Sequence, residues 1–251
     1  MTRRRYELTD HEWSIISPPL PNKPRGVPWA DDRRVLNGIL WRFRTGSPWA
    51  EIPERYGPPT TCYNRFVRWR RAGVWDRLLA AVSAAYDGDI VMIDSTCVRV
   101  HQYAATGKKG MFPRRIGRTK GGLNSKLHAV CDGRGRPLVM LLSEGQMSDY
   151  GGARLMIPHL PPAKELLADK GYDADWLRKD LAERGIAACI PSRAKQKSPI
   201  PHNAVLYRER HKIEIMFGRL KDWRRIATRY ERCAHTFFSA ICIAAAVTFY
   251  L

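Results

Sequence analysis

The spacing of apolar residues changes character once along the chain. Before residue 87 it is helical. In "DDRRVLNGILWRFRTG" apolar side chains fall at 35, 36, 39, 40 and 43, the spacing of one helix face, and Gly46 supplies the stop. "SPWAEIPERYG" opens with Ser47 as an N-cap and a proline at the first helical position, so a second, short helix is expected. "PPTTCYNRFVRWRRAG" predicts a third helix capped by Thr60 or Thr61, and "VWDRLLAAVSAAY" a fourth.

From residue 88 the period shortens. "DIVMID" is an apolar run closed by Asp94, and "STCVRVH" then alternates as a strand does. "SKLHAVCDGRGRPLVMLLSEG" predicts a hairpin turning at Asp132-Gly133 and Gly135. "SDYGGARLMIPHL" predicts a helix capped by Ser148 or Asp149, and "LLAD" a buried strand ending at Asp169. A helix near 174–184, a strand "IAACIP", one long helix over 204–232 and an apolar tail helix complete the pattern. Three strands in a meander, followed by strands separated by helices, predict a mixed sheet flanked by helices. That order matches the ribonuclease-H-like fold. The expected domains are an all-helical, helix-turn-helix-like region over 1–87 and an α/β domain over 88–251.

Charge narrows the function. The 251-residue chain has 43 Lys and Arg against 24 acids, a formal net charge of +19. Such an excess calls for a polyanionic partner, and nucleic acid is the leading one. The basic residues lie in three separated regions, 1–75, 108–136 and 207–232, which suits a long ligand. The stretch "GKKGMFPRRIGRTKGG" within the second reads as a loop that contributes Lys120, and Lys126 follows it. In the helical region Arg65, Arg68 and Arg71 lie on the helix after the Gly57-Pro58 turn, where a DNA-recognition helix would sit; a plain bundle with a basic exterior is the alternative.

No C-x-x-C pair joins the six cysteines, so reduced thiols in the cytoplasm are expected. No secretory signal or membrane span is expected either. "MTRRRYELTD" has no apolar run after its charges, and the 15-residue apolar tail is shorter than the roughly 20 residues a span needs.

Candidate chemistry rests on carboxylates. Asp94 and Asp169 both close apolar runs on strands that this topology can place side by side. On a helical wheel from Tyr207, Arg210 falls at about 300°, Glu214 at about 340° and Lys221 at about 320°. This polar stripe borders the apolar arc of Ile213, Met216, Phe217, Leu220 and Trp223. Two aspartates and a glutamate with cations beside them would suit a hard divalent ion and a phosphate. Each acid also has a plainer reading: Asp94 as a strand-end cap, Glu214 as the i,i+4 partner of Arg210. Asp149, Asp173 and Asp175 read as helix caps or first-turn acids, and His101 and His128, near the sheet, as structural residues or, alternatively, as contacts to DNA or leaving groups.

Tyr207-x2-Arg210-x3-Glu214-x6-Lys221 resembles the Y-x2-R-x3-E-x6-K signature of insertion-sequence DDE transposases, the group usually numbered five. "IDST" around Asp94 and "LLADKGYDAD" around Asp169 resemble the family's first and second Asp motifs; "GRTKGGLNSKLHAV", "GQMSD" and "RRIATRYER" resemble further shared stretches. The resemblance spans essentially the whole chain. It implies catalytic and metal-binding roles for Asp94, Asp169 and Glu214, with Mg²⁺ as cofactor and Mn²⁺ able to substitute. It implies DNA contacts from Tyr207, Arg210 and Lys221, and a homodimer bound to terminal inverted repeats in the nucleoid. The reaction implied is hydrolysis that frees a 3′ hydroxyl, followed by strand transfer to target DNA. A catalytically silent DNA-binding descendant and a nuclease acting on RNA–DNA hybrids are the competing readings. A P-loop enzyme is excluded, since no G-x4-G-K-[ST] occurs.

Overall fold

The computed structural model describes residues 6–21, 31–84, 86, 88–106, 113–194 and 198–251. Residues 107–112 of the expected basic loop, and Asp87 at the expected domain boundary, lie outside these. In chain order the helices are α1 (Asp10–Ile16), α2 (Asp32–Thr45), α3 (Pro59–Arg71), α4 (Val74–Ser83), α5 (Gln102–Ala105), α6 (Asp149–Met156), α7 (Asp175–Glu183), α8 (Ala204–Tyr207), α9 (His211–Lys221), α10 (Arg224–Ala227) and α11 (Ala234–Phe249). The strands are β1 (Ile90–Val100), β2 (Gly117–Thr119), β3 (Gly122–Asp132), β4 (Pro137–Glu144), β5 (Glu165–Leu167), β6 (Ala187–Cys189) and β7 (Thr228–Arg229). They gather into two compact units: Met1–Val82 with His101–Arg114 and Leu220–Leu251, and Ser83–Val100 with Arg115–Arg219.

In the helical unit α1 starts with a reciprocal cap, Glu12 N–H donating to Thr9 Oγ1 at 3.1 Å while Thr9 N–H donates to the Glu12 carboxylate. Asp31 caps α2, and Gly46 ends it at φ 83°, a left-handed conformation that glycine adopts without penalty. The expected second helix is two separate 3₁₀ turns, Trp49–Glu51 and Glu54–Tyr56, with no side-chain cap from Ser47. Pro53 is the reason: it lacks an N–H and pushes Ile52 to an extended ψ of 125°. Nor do Thr60 and Thr61 cap α3; Pro58 holds that place and Pro59 fills the first turn. Phe43, Phe66, Trp69 and Trp75 build the core in edge-to-face and stacked pairs 5.2–6.4 Å apart.

The long helix expected over 204–232 is broken. A 3₁₀ turn, Arg208–Arg210, separates α8 from α9, and the chain leaves helical geometry again at Trp223, whose ψ is 107°. Trp223 turns inward, 1% exposed, and its indole N–H donates to Thr248 Oγ1 at 3.1 Å. Burying that ring and anchoring its donor outweighs helical continuity. Arg229, fully buried, donates to the carbonyls of Glu231, Arg114 and Arg232 over the face of Phe237. The tail forms α11, largely buried as expected. No helix among the described residues is long and apolar enough to cross a membrane.

The second unit carries the sheet. β3 pairs antiparallel with β1, β2 and β4, and β1 pairs parallel with β5, as β5 does with β6. The strand β2 falls within the stretch expected to be a loop; Lys120-Gly121 form its turn into β3. Asp132 is the anchor of the β3–β4 hairpin, accepting from the N–H groups of Arg134 and Arg136 at 2.9 and 2.8 Å. Successive strand residues face opposite sides. Val91, Ile93 and Val130 therefore share a face, which packs on Ala153 and Met156 of α6 and Leu177 and Leu181 of α7.

Candidate active site

Asp94 does not end a strand. β1 continues to Val100, paired to β3 as far as Arg99↔Asn124, and Asp94 is its first residue past the apolar run. Its parallel neighbour β5 does stop, after Leu167. The register runs Ile90↔Glu165, Val91↔Leu166 and Met92↔Leu167, and two residues past the last pair come Asp94 and Asp169, the second close enough for its charge to act on the first. Asp169 caps the 3₁₀ turn Lys170–Tyr172 by accepting Gly171 N–H at 2.7 Å.

Helix α9 supplies the other half. Arg210, just before it, donates to Asp94 Oδ2 at 2.9 Å and also to the Glu214 carboxylate, one turn on. One guanidinium thus joins a strand acid to a helix acid. Burial pushes the Asp94 carboxyl above its usual range, against the Ser95 N–H and Arg210, while the Asp169 charge adds to the rise. Among the described residues no three His, Cys, Asp or Glu side chains are drawn close enough to hold an ion. The donor chemistry nevertheless fits a hard divalent cation. One carboxylate lies on β1, a second just past the end of its neighbour β5, a third is tied to the first by a cation, and all the donors are oxygen. The plainer reading of Glu214, as an i,i+4 partner of Arg210, holds at the same time.

The other expected DNA contacts are scattered. The Tyr207 ring lies 5.9 Å from the Arg210 guanidinium. Lys221 ends α9 and belongs to the helical unit. Lys120 is exposed at its turn, and Arg68 and Arg71 are exposed on α3. Arg65 is not available: it is 6% exposed, paired to Asp32 and laid over Trp69. Lys126 is likewise turned inward, bound to Asp149 at 2.8 Å and to the Met147 carbonyl at 3.0 Å.

Three residues whose sequence context signals no more than a cap or a strand position, Ser95, Asp149 and Tyr172, meet behind Asp94. Ser95 N–H donates to Asp94 Oδ1 at 2.7 Å, and Ser95 Oγ donates to Asp149 Oδ1 at 2.5 Å. Asp149 is indeed a first-turn acid, of a helix capped by Ser148. Tyr172, 1% exposed, carries a buried hydroxyl without a hydrogen-bond partner, and burial, then the charges of Asp149 and Asp94, push it well above the usual phenol range. Asp173, expected as a cap, is buried and binds Arg178 at 2.9 Å and Arg193 N–H at 2.9 Å. His128 is fully buried beside Ser143 at 2.8 Å, and His101 caps α5 and stacks on Tyr103 and Tyr230.

The strand order β4-β3-β1-β5-β6, antiparallel for the first three and parallel beyond, defines the class: a ribonuclease-H-like domain joined to a helical region. Residues 85–249 match the transposase DDE domain family, and residues 8–79 match the family described as a putative transposase of the IS4/5 family. The chain belongs to the DDE transposases of insertion sequences. It is 37% identical over 112 residues to the uncharacterized protein y4sN of Sinorhizobium fredii, covering 43% of this chain and 90% of that protein. It is 35% identical over 126 residues to the putative transposase for insertion sequence element IS6501 of Brucella ovis, covering 50% and 97%. A solved Mos1 transposase paired-end complex with left transposon end aligns over 82% of this chain and 83% of its own, at 11% identity and a TM-score of 0.25. Family membership implies dependence on a divalent metal.

Proposed function

We propose that this transposase uses Asp94, Asp169 and Glu214 to cleave the ends of its own element and join them to target DNA. The observation that carries the reading is that Asp94 on β1 feels the charge of Asp169, which lies just past the end of the parallel neighbour β5, while Arg210 reaches from Asp94 to Glu214. These three carboxylates would hold Mg²⁺, for which Mn²⁺ substitutes; when bound, it supplies charge neutralisation at the phosphate and acidifies the attacking water.

The chain's own groups do the rest. Water attacks the scissile phosphorus and breaks its bond to the 3′ oxygen, leaving a 3′ hydroxyl and a 5′ phosphate. That hydroxyl then attacks a phosphorus of target DNA and displaces the target strand's own 3′ oxygen, which leaves as a hydroxyl. Such transfers ask a protein mainly to position reactants and balance charge. Arg210, held between Asp94 and Glu214, would add its positive charge beside a phosphate oxygen at that site. Tyr207 borders it, and Lys221 lies further along α9. The helical region 1–87 would bind the terminal inverted repeats, with exposed Arg68 and Arg71 on backbone phosphates, and Lys120 would hold the strand near the sheet. The domain over 88–251 would act as a homodimer on paired ends, in the cytoplasm and associated with the nucleoid.

The test is incubation with supercoiled plasmid carrying candidate ends, with and without Mg²⁺. Asp94→Ala, Asp169→Ala and Glu214→Ala should each remove nicking and strand transfer while end binding persists. Normal cleavage by any of them removes that residue from the site. End binding without metal-dependent nicking in the parent chain would favour a silent DNA-binding protein.

A further inference from the structure

The face of the sheet opposite Asp94 should be apolar, since it packs on α6 and α7. Around Val91, Ile93 and Val130 it is. Directly beyond Ile93 it is not. Ser95, Lys126, Asp149 and the Tyr172 hydroxyl meet there, and His128 lies across from Ser95 in the β1–β3 register. Polar groups set into a packed layer cost stability unless each is satisfied, and the Tyr172 hydroxyl is not.

Ser95 connects the two faces. Its backbone N–H grips Asp94 Oδ1 on one side, and its hydroxyl reaches Asp149 on the other. Lys126 fixes Asp149, and also ties the Met147 carbonyl just ahead of α6. We propose that Ser95, Asp149, Lys126 and Tyr172 form a positioning relay through the sheet that fixes the carboxylate of Asp94 for the metal-bound reaction. Asp149 and Ser95 act through Asp94 and touch no substrate. The Tyr172 hydroxyl, buried within reach of the charges of Asp149 and Asp94, is the relay's spare donor for the loaded site. The inference rests on the assignment of Asp94 as a metal ligand. Its test therefore separates the two.

The test uses the full chain. Mn²⁺ binding is followed by the EPR signal of the free ion, end cleavage by the plasmid assay, and stability by thermal melting. Asp149→Asn and Ser95→Ala should weaken Mn²⁺ binding and slow cleavage, each by roughly ten- to hundred-fold, with end binding unchanged. Ser95→Thr keeps the hydroxyl and should restore both. Tyr172→Phe should raise the melting temperature yet slow cleavage, a combination that a purely structural residue does not give. Asp94→Asn is the reference. If it loses Mn²⁺ binding and cleavage while Asp149→Asn and Ser95→Ala match the parent chain, the relay is overturned and the site stands. If Asp94→Asn retains both, the site fails and the relay with it.

Discussion

Gly152 of α6 lies against His128, and replacing it with alanine measures how firmly that helix is held to the sheet. A Cβ on Gly152 falls 2.1 Å from His128 Nδ1 and 2.4 Å from its Cε1, where ordinary contact begins at 3.4 Å. The shortfall is about 1.3 Å at the tightest atom. The imidazole has little room to yield: it is fully buried, and its Nε2 bonds Ser143 Oγ at 2.8 Å. The helix must give instead. Overpacking of this size sits near the upper end of the usual range, about 3 kcal/mol. Alanine in place of glycine returns about 1 kcal/mol of helix propensity. The net loss is about 2 kcal/mol, a fall in melting temperature of roughly 4–8 °C for a chain of this size.

The same movement has a functional readout. Asp149 sits one turn before Gly152, and its bonds to Ser95 at 2.5 Å and Lys126 at 2.8 Å have little slack. A displacement of about 1 Å would break the first, with a loss of cleavage that can reach about a hundred-fold. The control is a double-mutant cycle with His128→Ala. Once the ring is gone, Gly152→Ala should change sign and stabilise by about 1 kcal/mol, a coupling of about 3 kcal/mol. Differential scanning calorimetry and plasmid cleavage of all four proteins provide the numbers. If Gly152→Ala melts with the parent chain, or costs the same with and without His128, the steric argument is wrong.

Arg65→Met should lower stability by about 2 kcal/mol, because Asp32 loses its charged partner. Its effect on end binding should be small, whereas Arg68→Ala and Arg71→Ala should each reduce the salt dependence of binding by about one unit of slope in anisotropy titrations. A large salt effect from Arg65→Met alone would put its side chain on DNA after all. Burial, reinforced by Lys126, holds the His128 imidazole down at about 4, so the folded chain keeps it neutral where the unfolded chain takes up a proton below 6.5. The stability it contributes is fully present above pH 6.5 and is lost as pH falls toward 4, by roughly 3 kcal/mol. Urea titrations across that window should show the loss, and His128→Gln should flatten it; an unchanged slope would mean that another group governs the acid limb.

The sheet was legible in the sequence because its strands are apolar runs closed by polar punctuation. "DIVMID", the Asp132-Gly133 turn and "LLAD" each carry a local signal strong enough to survive tertiary context. The helices were less legible wherever a local cue competed with packing. "SPWAEIPERYG" has the cap and the proline of a helix start, yet Pro53 five residues later divides it into two 3₁₀ turns. The apolar arc from Ile213 to Trp223 is buried, as its spacing predicts, but Trp223 is buried by leaving the helix instead of by continuing it.

The acids divide along the same line. Asp94 and Asp169 share a property of sequence, the closing of an apolar run, and parallel pairing of those runs brings the two acids near each other. Glu214 needed the helical period. Asp149 had no such handle. Its place depends on the β1–β3 register, which sets Ser95 opposite His128, and on α6 returning across that face with Gly152 against the imidazole. Each of those is a long-range fact. A one-residue slip in register would send Ser95 to the face of Asp94 and put Asp94 or Thr96 in its place opposite Asp149. The acid that reads in sequence as an ordinary first-turn residue is therefore fixed by the same pairing that fixes Asp94, which is why its substitution should be felt through Asp94.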